Sequence, residues 1–386
     1  MNRLWGSAAR FLATAVMAGA AQAALAQVKV GVTLALTGSA AVLGIGARTA
    51  LDLYPGVIAG QKIDYVVLDD ASDTTAAVTN ARKLINEERV DIVLGSSTSP
   101  QCLAMIDVVA ESEVPMIAFG STLRIVDPVD AKRRWVFKVP PNDSVWVGGM
   151  VRHMAASGVK TVGYIGLSDA LGDAWLAELN KHAGERNIKV VAGERFNRTD
   201  TSVTAQALKL VAAVPDAILI EANGTPAALP IVALRERGYK GALYLNVAGA
   251  TREVMQIAGN RVDGSLLAVA LAQIWEQLPD SNPLKKLNGD FVTRYEQKTG
   301  KSTNFFAMQA YDAARILERA VPAALEKAKP GTREFRVALR DAIENVRDLP
   351  ANGGVFNFSP TDHSGLDGRA VVMARIENGA FKYVGQ

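Results

Sequence analysis

Asp91-Ile92-Val93-Leu94-Gly95, followed by Ser96-Ser97-Thr98-Ser99-Pro100-Gln101, is the stretch on which the fold turns. An apolar run ends at a glycine, a hydroxyl-rich loop follows, and proline opens a helix. The pattern puts Ser99 at the N-cap and Pro100 at the first helical position. An unbroken apolar run of this length marks a parallel strand covered on both faces. The same rhythm extends in both directions. Strands are predicted at 28–35, 63–68, 91–94 and 114–119, with helices at 47–58, 74–87 and 100–111 between them. In the second helix Ala77, Ala81, Leu84 and Ile85 share one face, while Arg82, Lys83 and Glu87 point away.

A break falls at Val139-Pro140-Pro141, where proline stops both helix and ladder. Beyond it the alternation resumes, with strands at 161–165, 189–192, 217–220 and 242–245 and helices at 173–186, 203–214 and 226–237. Repeated strand–helix–strand units argue for an α/β fold of two doubly wound parallel-sheet lobes. Residues 283–345 then read as helices at 283–298, 305–325 and 332–345. Strands return at 354–358, 370–376 and 380–384, the last two joined by Asn378-Gly379, a hairpin signal.

Composition fits this picture and removes several functions. The 386 residues are 49% hydrophobic and 21% charged, with a formal net charge of +3. Length alone suggests two or three domains. So small a charge lacks the basic footprint of a nucleic-acid binder, and 6% aromatics make no stacking platform. Three histidines and one cysteine supply neither a usual zinc site nor a disulfide framework. No metal, cofactor or nucleic-acid partner is expected. Residues 1–26 read as a cleaved signal peptide. Arg3 and Arg10 lead an apolar run, Phe11-Leu12-Ala13-Thr14-Ala15-Val16-Met17-Ala18, and cleavage is placed after Ala26 in Ala24-Leu25-Ala26. No later run is long enough to cross a bilayer, so a soluble exported protein is expected.

Catalytic motifs are missing. There is no G-x-S-x-G elbow and no phosphate-binding G-x-x-x-x-G-K-[ST]. Gly44-Ile45-Gly46 begins like a dinucleotide fingerprint but has Thr49 where the last glycine belongs. His153, His182 and His363 stand at unrelated spacings and read as surface residues. Asp69-Asp70 reads as loop hydrogen bonding rather than acid–base chemistry. What remains is a pair of hydroxyl-rich strand ends, Gly95 to Ser99 and Phe119-Gly120-Ser121-Thr122. Open α/β sheets bind ligands outside such ends. A helix N-terminus beside them suits a carboxylate.

In these stretches the sequence resembles the periplasmic branched-chain amino acid–binding proteins, the substrate-binding components of ABC importers. The resemblance runs through Val30-Gly31-Val32-Thr33-Leu34-Ala35-Leu36-Thr37-Gly38, Asp69-Asp70, Asp91 to Gly95 with Ser99, and Val114 to Thr122. It continues in Gly224-Thr225-Pro226-Ala227 and Asn378-Gly379-Ala380-Phe381. It implies two lobes, 27–140 plus 274–351 and 141–273 plus 352–386, joined by three hinge crossings and closing on a ligand. It also implies a periplasmic monomer that serves a membrane permease and is not an enzyme. Ser99, Gly120 and Thr122 would hold the ligand carboxylate, with Ser121 and Phe119 in the same turn.

Two departures bear on the ligand. Leu171, in Ser168-Asp169-Ala170-Leu171-Gly172, stands where the amino acid binders often carry an aromatic residue. Leu245-Asn246-Val247-Ala248-Gly249 lacks the acid that pairs with an ammonium. Glu221, ending a neighbouring strand, either substitutes for that acid or turns its side chain to the loop, and a buried ammonium without a counter-charge is costly. Amino acids therefore stand beside des-amino, hydroxy, keto and aromatic acids as expected ligands. Trp146 and Trp275 are further pocket candidates, and Asp169 and Asn223 are placed on loops facing the cleft. A sensory module presenting its ligand to a chemoreceptor or kinase, and an exported hydrolase, are the alternative readings.

Overall fold

The computed structural model describes residues 27–385. The signal peptide expected at 1–26 lies outside the described residues. The first sheet has six strands: β1 (Val28–Leu34), β2 (Val57–Ile58), β3 (Gln61–Asp69), β4 (Ile92–Leu94), β5 (Met116–Ala118) and β6 (Val136–Lys138). Their order is β2-β3-β1-β4-β5-β6. All pairs are parallel except the short β2–β3 hairpin. Val30 sits between Tyr65 and Ile92 in register, and Val28, Val30, Val32 and Leu34 are fully buried. Helices α1 (Ala41–Ala50), α2 (Thr74–Asn86) and α3 (Ser99–Glu111) cover this sheet.

The second sheet has seven strands, ordered β15-β14-β11-β10-β9-β7-β8. Its parallel part is β7 (Thr161–Leu167), β8 (Lys189–Phe196), β9 (Ala217–Glu221), β10 (Ala242–Leu245) and β11 (Leu266–Ala270). The antiparallel hairpin of β14 (Val371–Glu377) and β15 (Ala380–Gly385) extends it. Asn378 and Gly379 both have positive φ, as a two-residue hairpin turn matched to strand twist requires. Around this sheet lie α4 (Asp143–Ala156), α5 (Ala170–Gly184), α6 (Thr204–Ala212), α7 (Ala228–Glu236) and α8 (Arg252–Ala258). Then come α9 (Pro283–Thr299), α10 (Phe305–Leu325) and α11 (Arg333–Glu344). The small ladder of β12 (Leu349–Ala351) and β13 (Gly354–Phe356) follows.

The two doubly wound sheets are the expected architecture, and the chain passes between their layers three times: after β6, after β11 and after β13. Local differences have local causes. The helix expected at 47–58 is α1, six residues earlier, and Val57–Ile58 is a strand; Pro55-Gly56 ends any helix before it. Helix α4 went unread because Gly148-Gly149 sits at its centre, where glycine weakens helix propensity. Strand β11 went unread because its apolar run continues from Leu266 to Ala272 in leucine, alanine and one valine, and periodicity alone does not separate a buried strand from a buried helix segment. His363 is fully buried rather than on the surface: its Nδ1 lies 2.9 Å from the Val136 carbonyl and its ring stacks on Phe137.

Candidate functional site

The carboxyl ends of β4 and β5 face those of β9 and β10 across a cavity enclosing about 360 Å³ of empty space, part of it open to solvent. On the six-stranded side the wall begins with Ser97, Thr98 and Ser99. Helix α3 starts at Ser99 with Thr98 as its N-cap, so Ser99 is the first helical residue and not the cap. First-turn amides have no partner within a helix and point outward. Asp70 organises the loop beneath. It is buried and accepts from Thr33 Oγ1 at 3.2 Å, from Ser96 Oγ at 2.6 Å and from the Ser72 amide at 3.2 Å. Burial raises its pKa and these bonds oppose the rise. Burial is the largest single influence on Asp69 and raises its pKa, but the hydrogen bonds it accepts from Thr37 Oγ1 and from the Ala71, Leu36 and Thr37 amides together lower it. Both acids therefore do loop work.

The hydroxyls of this wall share one feature. Ser99 Oγ accepts from the Thr122 amide at 3.2 Å, and Ser97 Oγ accepts from the Ala35 amide at 3.1 Å. Acceptance fixes each oxygen and leaves its hydrogen to be donated elsewhere. Gly120 lies against Ser99: an added Cβ would stand 2.9 Å from Ser99 Cα and from Ile125 Cδ1. The missing side chain thus lets two protein loops touch. Phe119, Gly120 and Ser121 complete this part of the wall.

Behind Ser121 lie two buried ionisable side chains, Lys138 and Asp143. Lys138 Nζ donates to the carbonyls of Ser121, Pro140 and Pro141 at 2.8, 2.8 and 3.1 Å. Burial pulls its pKa down to about 7, with Asp143 opposing. Asp143 accepts from the Leu123 amide, Ser121 Oγ and Trp175 Nε1, and burial raises its pKa. Its carboxylate thus joins the β5 loop to α5.

On the seven-stranded side the lining residues are Leu171, Asn223 and Asn246-Val247-Ala248. Glu221 ends β9 but does not line the cavity. It accepts from the Leu167 amide at 3.2 Å and from Asn246 Nδ2 at 3.3 Å. Burial, helped by Asp169, pushes its pKa up to about 8. Asn246 Oδ1 in turn accepts from the Ala248 amide at 2.9 Å. Trp146, Phe305, Phe306, Leu43 and Gln309 close the remaining sides, with Trp146 edge-on to Phe305. The two sides touch at Gly224, whose φ is +68° and whose added Cβ would meet Leu43 at 3.2 Å and the Ser39 carbonyl at 3.3 Å.

Of the sequence candidates, Ser99, Gly120, Ser121, Phe119, Trp146, Leu171 and Asn223 meet at this cavity. Thr122 lies beneath it, fully buried. Asp169 caps α5 by accepting from the Leu171 and Gly172 amides, and lines a separate outer chamber with Arg198. Trp275 packs over Gly289, away from the cavity. Sequence reading missed Phe305, Phe306 and Gln309. Their signal was a single amide inside the apolar run Phe305-Phe306-Ala307-Met308-Gln309-Ala310. None of the residues lining the cavity is charged, and among the described residues no His/Cys/Asp/Glu cluster could hold a metal.

The family described as periplasmic binding protein matches residues 27–380. An extracellular ligand-binding receptor from Rhodopseudomonas palustris HaA2 superposes with a TM-score of 0.90 at 40% identity, over 93% of this chain and 100% of that one. The Leu/Ile/Val-binding protein homolog 3 of Brucella melitensis is 25% identical over 91% of this chain and 92% of its own. A solute binding protein of an ABC transporter from R. palustris, solved in complex with benzoate, shares the fold at 22% identity, with a TM-score of 0.80 over 93% of this chain and 96% of that one. The chain spans about a third of the length of glutamate receptor 2.1 of Arabidopsis thaliana, which it matches at 22% identity over 76% of itself and 31% of the receptor. With a family match from residue 27 to residue 380, on a fold of two such sheets, the chain belongs to the periplasmic binding protein family, type I, that of the Leu/Ile/Val-binding proteins.

Proposed function

We propose that the protein is the periplasmic solute-binding component of an ABC importer. It captures a small carboxylate without an ammonium group and delivers it to a membrane permease. The observation that carries this reading is an uncharged cavity with a helix N-terminus and spare hydroxyl hydrogens on one wall. Amides and hydroxyls there can hold an anion, each charge-assisted bond contributing about 1.5–3 kcal/mol. An ammonium would find no acid, since Glu221 is spent on Leu167 and Asn246. The aromatic walls suit an apolar or aromatic acid, and a neighbour of the same fold was solved with benzoate. A monomer suffices for this role, and no imidazole lines the cavity to activate a serine.

Capture needs the two sides to move apart and close again. The lobes proposed are 27–140 with 274–365, and 141–273 with 366–385, which moves the last boundary from the expected 351 to Gly365. The third crossing is placed after Gly365, because Phe358 and His363 pack on Phe137 of β6. Ligand favours the closed form because only that form touches it from both sides. A thermal-shift screen of the mature protein, refolded to strip carried ligand, tests the reading. Each amino acid is paired with its des-amino, hydroxy and keto acid, and aromatic acids are added. A ligand at 100 times its Kd adds about 2.7 kcal/mol of apparent stability. The acids without ammonium should raise Tm and the amino acids should not; the reverse result refutes the proposal.

A further inference from the structure

Three side-chain amides face the cavity, and they differ in one respect. Asn246 is spent: its Nδ2 donates to Glu221 and its Oδ1 accepts from Ala248. Gln309 is 4% exposed, and neither its Oε1 nor its Nε2 has a hydrogen-bond partner. Asn223 is 3% exposed, on the opposite side, and its Oδ1 is likewise unpartnered. A buried amide left unpaired costs about 1–3 kcal/mol per group. Natural cores rarely keep one without a reason. Asn288 is also unpartnered but lies outside the cavity, so it cannot serve a ligand there.

Gln309 stands one helical turn from Phe305 on the same face of α10, so its amide emerges beside an aromatic wall. It offers an NH2 group with two hydrogens to donate and a carbonyl oxygen that accepts, and no charge. We propose that Gln309 is a specificity residue that reads an uncharged hydroxyl on the ligand, with Asn223 Oδ1 as a further acceptor from the opposite wall. This rests on the carboxylate reading above and narrows it to hydroxy-substituted aromatic acids. A hydroxyl both donates and accepts, which matches the Gln309 amide. An unsubstituted ring leaves that amide unpaired in the closed state.

Isothermal titration with matched acids tests the inference: 4-hydroxybenzoate against benzoate, 3-hydroxybenzoate against benzoate, and 4-hydroxyphenylacetate against phenylacetate. At least one hydroxylated member should bind tenfold or more tightly than its partner. Gln309→Met keeps the length of the side chain and removes the amide. It should bring that ratio close to one, through weaker binding of the hydroxylated acid, and leave the Tm of the empty protein unchanged or higher. Equal binding of every pair by the wild-type protein, or an unchanged ratio in the variant, overturns the inference alone. Should Gln309→Met not fold, the wild-type ratios and Asn223→Ala decide. If no acid binds in either form, the carboxylate reading falls and this inference falls with it.

Discussion

At the carboxyl ends of β4 and β5, polar groups lean on the backbone and keep something in reserve. Ser97 and Ser99 accept from Ala35 and Thr122 and still hold a hydrogen to give. At the ends of β9 and β10, the acid and the amide beside it are consumed by one another, while Asn223 Oδ1 stays unpartnered. Glu221 takes the Leu167 amide and Asn246, and Asn246 takes Ala248. Both walls come from the same strand–loop–helix construction. One wall can therefore bind an anion while the other closes over it without adding charge. Fold sets where a cleft lies; which hydrogen bonds are already spent inside the protein sets what the cleft can hold.

The largest effect expected from this contrast concerns Glu221. Its folded pKa of about 8 lies above its unfolded value. Between those two values the native state holds a proton that the unfolded chain has released, so stability is full at low pH and is lost as pH rises towards 8. Glu221→Gln should remove that loss. The difference in stability between the variant and the wild type should grow from pH 5 to pH 8.5, to on the order of 4 kcal/mol. Denaturant unfolding of the empty protein at several pH values reads it. The couplings of Glu221 to Asp169 and Arg198 vanish with the acid and are part of that difference. Lys138 works in the opposite sense. Its pKa is depressed to about 7, so stability should rise with pH above that value, and Lys138→Met should flatten the rise. A difference between Glu221→Gln and wild type that does not change with pH would mean that the second wall carries a charged acid after all.

Next in size is Ser99→Ala. If the first wall holds the carboxylate, the variant should bind the best acid about ten- to a hundredfold more weakly, following the 1.5–3 kcal/mol of a charge-assisted bond. It should also lower the stability of the empty protein by about 1–3 kcal/mol, because the buried Thr122 amide loses its acceptor. Binding and unfolding are therefore measured on the same preparation. Unchanged affinity beside lowered stability would assign Ser99 to the scaffold alone.

Much of this contrast was legible in the residues. The apolar runs of β1, β4, β7 and β9 announce parallel strands, and Asn378-Gly379 announces its hairpin, because each depends on local chemistry. That the loops at 95–99 and 119–122 leave the carboxyl ends of neighbouring strands was readable for the same reason, and the structure brings both to one cavity. What escaped depends on distance in the chain. Nothing near Gln309 says that α10 will bring it to a cavity formed by loops some two hundred residues earlier. Thr98 rather than Ser99 caps α3 because the loop below is tied to Asp70, which lies on another strand end. Glu221 read as a substitute for the missing acid because sequence does not reveal that Asn246 would occupy it.

The smallest effect belongs to the outer chamber, and it can break the comparison most directly. Arg198 is the cation there. Its Nη2 lies 3.3 Å from Asp169 Oδ2, and its Nη1 donates to the Asn223 carbonyl at 3.2 Å. The pair is partly exposed, so its removal should cost under about 1 kcal/mol. Since Arg198 steadies the Asn223 backbone without lining the inner cavity, Arg198→Ala should weaken acid binding by no more than about threefold, in line with a contribution of that size. An arginine that held the ligand carboxylate itself would behave differently. Its loss would exceed that of Ser99→Ala, and wild-type binding would weaken steeply as salt rises, because a partly exposed ion pair is screened. Affinities of both variants measured at low and high salt separate the two arrangements. The uncharged wall predicts a large Ser99 effect with little salt dependence and a small Arg198 effect.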